Sequence, residues 1–231
     1  MLTHLIRRIR SVMPRACLLC GASAEAFGLC DGCQEALPEP AGPRCPRCAS
    51  PTPTASLCGR CIRHPPKYDY VISALDYIAP VDFLVADLKY SHNLAAARTL
   101  AAQLALRLES EPYPDIVLPM PIAASRLRER GFNQAAEIAR HACAAFGLRL
   151  SPGIAQRVSA GVSQTALPWA DRARNVRGVF RCRVDLAGQT VAVVDDVITT
   201  GATLNELASV LKRAGAAKVV GWIVARTPPR H

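Results

Sequence analysis

Residues 191–203 of this chain read Val-Ala-Val-Val-Asp-Asp-Val-Ile-Thr-Thr-Gly-Ala-Thr. The apolar, mostly β-branched run at 191–194 predicts a buried strand of a parallel sheet. Two carboxylates, Asp195 and Asp196, end the run, and a small-residue loop leads into an apolar-periodic helix over about 204–213. This order predicts an anion site, because the loop N–H groups and the positive end of the helix converge on one spot.

The loop after the carboxylates suits a phosphate group. It contains Thr199, Thr200, Gly201 and Thr203, and Gly201 lets the backbone come close to a ligand. Carboxylates cannot bind phosphate, so the acidic pair indicates a second group beside it, either ribose hydroxyls or a hydrated metal ion. An ordinary strand-to-helix turn is the alternative, but adjacent carboxylates at a buried strand end are poor packing choices unless they are paired. Dinucleotide and P-loop glycine spacings are absent here.

A cysteine repeat dominates the first 66 residues. Eight of the ten cysteines form four C-x-x-C pairs, and the unit C-x2-C-x9-C-x2-C occurs twice, shifted by 28 residues. Each unit offers four thiolates, the ligand set of a tetrahedral structural zinc site. We predict two Zn²⁺ ions, paired within each repeat, with interleaved pairing of the four C-x-x-C turns as the alternative. The predicted ligands are Cys17, Cys20, Cys30, Cys33, Cys45, Cys48, Cys58 and Cys61.

Length and composition set the domain plan. The 231 residues are 50% hydrophobic and carry a formal charge of +10, part of which zinc-bound thiolates would offset. Pro65-Pro66 marks a linker, so we expect a zinc module at 1–66 and an α/β domain at 67–231 that folds on its own core. No apolar run can span a bilayer, and residues 1–13 read as a short amphipathic helix rather than a signal peptide. We therefore expect a cytoplasmic protein, in which disulfides are not favoured.

The middle of the chain alternates between strand and helix patterns. The predicted elements are an edge strand or two in 68–78, helices over 80–108 broken at 91–93, a buried strand at 115–121, a helix ending near 146, and a last strand at 218–224. Arg126, Arg128 and Arg130 place charge in a loop at the carboxyl end of a strand, the ligand edge of a doubly wound sheet. Residues 158–171 lack periodicity and predict a long functional loop.

Several parts of the chain together resemble one protein family. They are the cysteine repeats, LKY at 88–90, PMPIAASRLRERGFNQA at 119–135, the stretch 191–203, and the positions Arg157, Gln164, Thr165, Arg172, Asn175, Val176 and Phe180. The combination resembles the ComF/ComFC group, whose members are linked to natural competence and DNA uptake in bacteria. The stretch 191–203 resembles the phosphoribosyl pyrophosphate (PRPP) motif of type I phosphoribosyltransferases.

This resemblance implies a parallel-sheet, Rossmann-like type I phosphoribosyltransferase domain behind a double zinc ribbon. It implies that the acidic pair holds the ribose hydroxyls, that the loop cradles the 5′-phosphate, and that Mg²⁺ accompanies the pyrophosphate. The implied PRPP-binding residues are Asp195, Asp196, Thr199, Thr200, Gly201, Ala202, Thr203, Pro121, Ile122, Arg126 and Arg130. The implied catalytic residues are Asp195, Asp196, Arg157 and Arg172.

Two functions remain open at this stage. One is a PRPP-dependent pentosyl transferase or PRPP binder with an unspecified acceptor. The other is a non-catalytic competence factor that binds single-stranded DNA and uses the pocket for a nucleotide or a DNA end. Amidophosphoribosyltransferases are similar in pattern, but they carry a glutaminase domain with an N-terminal cysteine nucleophile, whereas the first cysteine here is Cys17. Purine-synthesis activity is therefore not expected.

Overall fold

A computed structural model describes residues 15–24, 28–158 and 178–229 of the chain. In order, its elements are β1 (Arg15–Ala16), β2 (Ser23–Ala24), α1 (Asp31–Glu35), α2 (Gly59–Arg63), β3 (Tyr70–Asp76), α3 (Val81–Tyr90), α4 (Leu94–Leu108), β4 (Ile116–Pro119), α5 (Ala124–Arg130), α6 (Gln134–Phe146), β5 (Ala155–Arg157), β6 (Phe180–Cys182), β7 (Thr190–Ile198), α7 (Ala202–Arg213) and β8 (Lys218–Arg226). Within these ranges, no helix is long and apolar enough to cross a membrane.

The central sheet has four parallel strands in the order β3-β8-β7-β4. Strand β7 is interior, with Val194 opposite Pro119 of β4 and Trp222 of β8. Because all four strands run the same way, their carboxyl ends meet at one edge, where ligands of open α/β sheets bind. The predicted parallel α/β fold is confirmed.

Apolar layers cover both faces of the sheet. Ala192 and Val194 belong to a core that includes α3, α4 and α6, whereas Val191 and Val193 belong to a second core under α7. This alternation follows from the period of two along a strand. The first cysteine unit packs on the former core and the second unit on the latter, so the two units lie on opposite faces of the sheet.

Two local predictions were wrong. Asp195 and Asp196 do not end β7, because its ladder with β8 continues as far as Ile198. The residues Arg126, Arg128 and Arg130 do not lie in a loop but on the short helix α5. Gly131 has φ 78° and ends this helix as its C-terminal cap.

Other predicted elements agree with the structure. The break between α3 and α4 falls at residues 91–93, β3 lies at the edge of the sheet, and α6 ends at Phe146. The antiparallel pair β5–β6 was not anticipated. The predicted amphipathic helix at 1–13, Arg172 and all of the predicted loop at 158–171 except Val158 lie outside the described residues.

The second cysteine unit is bound to the sheet by polar contacts. Arg44 forms an ion pair with Asp76 at 2.7 Å, and Arg226 of β8 donates to Ser50 Oγ at 2.5 and 3.0 Å. Arg47 Nη1 donates to the carbonyl oxygen of Tyr68 and of the next residue, both at 3.1 Å. The domain boundary at 66/67 stays a prediction, and these contacts cross it.

Candidate functional site

The predicted sugar-phosphate residues gather at the carboxyl edge of β4 and β7. Met120 N–H donates to Val194 O at 2.8 Å, which brings the turn after β4 beside the acidic pair. Asn133 holds the same turn, because its Nδ2 donates to Met120 O at 3.0 Å while its Oδ1 accepts from Ala135 N at the start of α6. In that turn Pro121 is buried and Ile122 is partly exposed.

The two carboxylates differ in their surroundings. Each Oδ1 accepts a hydrogen bond from the next backbone N–H, at 2.9 Å for Asp195 and 2.7 Å for Asp196. Asp196 is only 4% exposed, whereas Asp195 keeps partial exposure. Burial and the neighbouring carboxylate of Asp196 raise the pKa of Asp195 well above its usual range, and Lys89 offsets only part of that shift.

Lys89 is a site residue that the sequence analysis did not assign. Its Nζ lies 2.7 Å from Asp196 Oδ2, and its side chain is 20% exposed. Burial alone would lower the pKa of Lys89, but Asp196 and Asp195 outweigh it, so the pKa lies above the ordinary value. The LKY tripeptide was the only sequence signal, and it assigned no role to the lysine.

The predicted phosphate loop joins β7 to α7. Gly201 is buried at the helix N-cap with φ 74°, and Thr200 Oγ1 accepts from Ala202 N at 3.2 Å. No acidic residue lies in the first turn of α7, so no carboxylate there competes with a phosphate for the positive end of the helix. Thr199 is exposed, and Tyr68 forms a wall whose hydroxyl lies 3.0 Å from the point where a Cβ on Gly201 would be.

Arg130 and Arg157, two of the predicted site arginines, each lie over an aromatic ring. Arg130 donates to Gln134 Oε1 at 2.5 Å, and its guanidinium lies 6.0 Å from the centre of the Tyr90 ring. Arg157 lies 5.6 Å from the ring of Phe180, and burial together with the charge of Arg126 lowers its pKa. Within the described ranges, neither Arg130 nor Arg157 forms an ion pair with a carboxylate.

The eight predicted zinc ligands form two separate clusters. In each cluster all four Sγ atoms lie within 4.8 Å of one another. The clusters follow the repeats, so the structure has the within-repeat pairing and not the interleaved one. Four convergent thiols are the ligand set of structural zinc, and both clusters fit it. They are Cys17, Cys20, Cys30 and Cys33, and Cys45, Cys48, Cys58 and Cys61.

Comparison with known proteins agrees with both halves of this description. A family model described as "Double zinc ribbon domain" matches residues 9–62, and one described as "Phosphoribosyl transferase domain" matches residues 94–229. "DNA utilization protein YhgH" of Salmonella typhi is 34% identical over 224 residues, covering 93% of this chain and 98% of the relative. "Competence protein F" of Haemophilus influenzae is 32% identical over 209 residues, 86% of this chain and 90% of the relative.

Similar solved structures include an allosteric regulatory enzyme of purine biosynthesis, 26% identical with a TM-score of 0.36. Another is the glutamine PRPP amidotransferase from B. subtilis, 24% identical with a TM-score of 0.39. In both comparisons 55% of this chain is covered, but it spans only 25% and 26% of those chains. With a double zinc ribbon ahead of a phosphoribosyl transferase domain, and with relatives of these two names along most of its length, the chain belongs to the ComF family.

Proposed function

We propose that the carboxyl edge of the sheet binds PRPP, or another ribose 5-phosphate compound, and that the domain is a PRPP-dependent phosphoribosyltransferase. One observation carries this proposal. Within residues 195–203 an acidic pair near the end of β7 is followed by a short loop, a buried glycine N-cap and the N-terminus of a 12-residue helix. Carboxylates that can accept from hydroxyls and N–H groups that can donate to a phosphate therefore follow one another over one short stretch. A sugar phosphate requires both.

The loop and the carboxylates divide the ligand between them. Thr199–Thr203 has no cationic side chain, so its backbone N–H groups and hydroxyls suit a single phosphate monoester. The carboxylates suit the ribose hydroxyls, because a carboxylate accepts hydrogen bonds and would repel a phosphate placed on it. Ribose 5-phosphate carries both groups at a fixed separation.

The pyrophosphate of PRPP would face the turn at Pro121 and Ile122, with Arg126 and Arg130 close by. Mg²⁺ prefers phosphate and carboxylate oxygens, so it would enter with the pyrophosphate and neutralise its charge as it leaves. Positive charge that develops on the ribose would be stabilised by the nearby anionic groups. Arg157 and Arg172 complete the proposed catalytic set, and the acceptor nucleophile is not specified by these residues.

Asp195→Asn tests the sugar contact. We expect PRPP affinity in the presence of Mg²⁺ to fall at least tenfold, since a charge-assisted hydrogen bond is worth about 1.5–3 kcal/mol. Inorganic phosphate should still bind the loop. Calorimetric titration of wild type and variant with both ligands makes the measurement, and pyrophosphate release from PRPP distinguishes a transferase from a binder.

Asp115→Asn is the matched control, because Asp115 Oδ2 accepts from Thr190 N at the opposite end of β7, 2.8 Å away. This variant should leave PRPP affinity unchanged. If Asp195→Asn binds PRPP as tightly as wild type does, then the acidic pair is structural and the proposed sugar site is wrong.

A second candidate function is single-stranded DNA binding. It is favoured by Tyr90, which is 75% exposed beside the proposed pocket and has the Arg130 guanidinium next to its ring. Arg126 and Arg128 are also exposed nearby. Exposed aromatic rings among arginines suit stacked bases and phosphates, and the names of the relatives concern DNA utilization and competence.

Tyr90→Ala tests this candidate. Stacking of one base is worth about 1–3 kcal/mol, so we expect affinity for a fluorescent oligothymidylate to fall roughly fivefold or more. Binding should also weaken steeply as salt rises. Tyr113→Ala is the control, because Tyr113 is 63% exposed but precedes β4 at the other edge of the sheet. Equal polarisation curves for the Tyr90 variant and wild type would remove Tyr90 from any DNA surface.

A further inference from the structure

Each carboxylate oxygen of Asp196 has a close partner in the structure. Oδ2 of Asp196 lies 2.7 Å from Lys89 Nζ, and Oδ1 accepts from Val197 N at 2.7 Å. A divalent cation that approached Asp196 would therefore meet the positive charge of the Lys89 ammonium group. The carboxylate with more access to a ligand is Asp195, which is partly exposed.

Stability alone is a poor reason for this ion pair. Removing two charges from water costs more than most buried pairs return, and an apolar pair of similar size is often equally stable. Lys89 lies in the last turn of α3, where an apolar residue would extend the core that Leu84 and Leu88 already form. The charge is instead directed at one member of the acidic pair.

We propose that Lys89 is the resident counter-cation of the acidic pair. It holds the Asp196 side chain in place, it leaves Asp195 to accept the ribose hydroxyls, and it removes the need for a divalent metal at these two carboxylates. Lys89 is thus a positioning residue, and its role toward the sugar rests on the proposed function. The proposal predicts that two ligands differ in their need for Mg²⁺. Ribose 5-phosphate should bind without Mg²⁺, whereas PRPP brings Mg²⁺ with its pyrophosphate.

The first measurement needs no sugar. Mn²⁺, followed by electron paramagnetic resonance, is titrated into the zinc-loaded wild type and into Lys89→Met, Lys89→Arg and Lys212→Met. We expect Lys89→Met to bind Mn²⁺ at least tenfold more tightly than wild type, because it has two uncompensated carboxylates. Lys89→Arg keeps the cation and should behave as wild type does. Lys212→Met is the matched control, since it removes a lysine 2.8 Å from Asp69 at the far end of α7.

The second measurement uses the wild type alone and so does not depend on whether a variant folds. Ribose 5-phosphate is titrated in chelator and again in Mg²⁺, and the two affinities should agree within about twofold. A rise of tenfold or more with Mg²⁺ would overturn the role of Lys89, as would equal Mn²⁺ affinity for a folded Lys89→Met and the wild type. If ribose 5-phosphate does not bind in either buffer, the proposed function fails, while the Mn²⁺ titrations still decide whether Lys89 is the counter-cation.

Discussion

Replacing Cys45 and Cys48 by Ser should cost the protein its phosphate loop as well as its second zinc ion. A structural zinc site contributes about 10–16 kcal/mol of apparent binding energy in small zinc domains. That exceeds what the second cysteine unit can recover from its own few apolar residues. We expect the unit to unfold and the affinity of the protein for inorganic phosphate to fall at least tenfold.

The connection between metal and loop is the segment that follows the unit. Tyr68 is buried beside Cys48 and Cys61, burial raises its pKa, and its hydroxyl lines the loop at Gly201. Lys67 N–H donates to Asn205 Oδ1 in the first turns of α7 at 2.6 Å. The sequence predicted that the α/β domain stays folded without its zinc module. These contacts indicate instead that unfolding of the second unit also disturbs the phosphate loop of the α/β domain.

The matched control is the same change in the first unit, Cys17 and Cys20 to Ser. That unit packs on the opposite face, where Gln34 and Gln103 exchange hydrogen bonds at 2.8 Å. Elemental analysis should find two zinc ions per chain in the wild type and one in either variant. Calorimetry with phosphate should separate the two variants, and undiminished phosphate affinity after loss of Cys45 and Cys48 would show that the loop does not depend on the metal.

Gly201→Ala should distort the phosphate loop and weaken phosphate binding. At φ 74° a side chain costs about 1–2 kcal/mol, and a Cβ would lie 3.0 Å from the Tyr68 hydroxyl and 3.3 Å from Ile198 Cδ1. The loop must shift to relieve these contacts. We expect phosphate affinity to fall tenfold or more, because the N–H groups of the loop then no longer converge on one point.

Two companion variants separate strain from contact. Gly188 has φ 75° with no atom within 4 Å of its Cβ position, so Gly188→Ala should lower the free energy of unfolding by a similar amount and leave phosphate affinity unchanged. Adding Tyr68→Phe to Gly201→Ala removes the hydroxyl and should restore part of the affinity. If Gly201→Ala and Gly188→Ala bind phosphate equally well, then the loop does not need its glycine for ligand binding.

Sequence pattern alone predicted the elements whose structure depends on residues close together in the chain. The apolar run at 191–194 and the periodic helix after it gave the parallel strand and its ligand edge, and cysteine spacing gave both clusters. Lys89 could not be assigned in this way, because a lysine in the last turn of an amphipathic helix is normally solvated. Only the packing of α3 against the sheet brings it to Asp196. Tyr68 read as part of a strand, and its place beside Gly201 is likewise a result of tertiary packing.

Strand β8 follows the other three strands of the central sheet in the chain, yet it lies inside the sheet between β3 and β7. Tyr70 of β3 can therefore pair with Val220 only after β8 has been synthesised. Contacts this distant in sequence form late, because the intervening chain must first be closed into a loop. Both cysteine units leave the ribosome long before that moment. Metal capture can therefore precede sheet formation, and strand β8 would then pair with the Ser50 partner of Arg226 already in position.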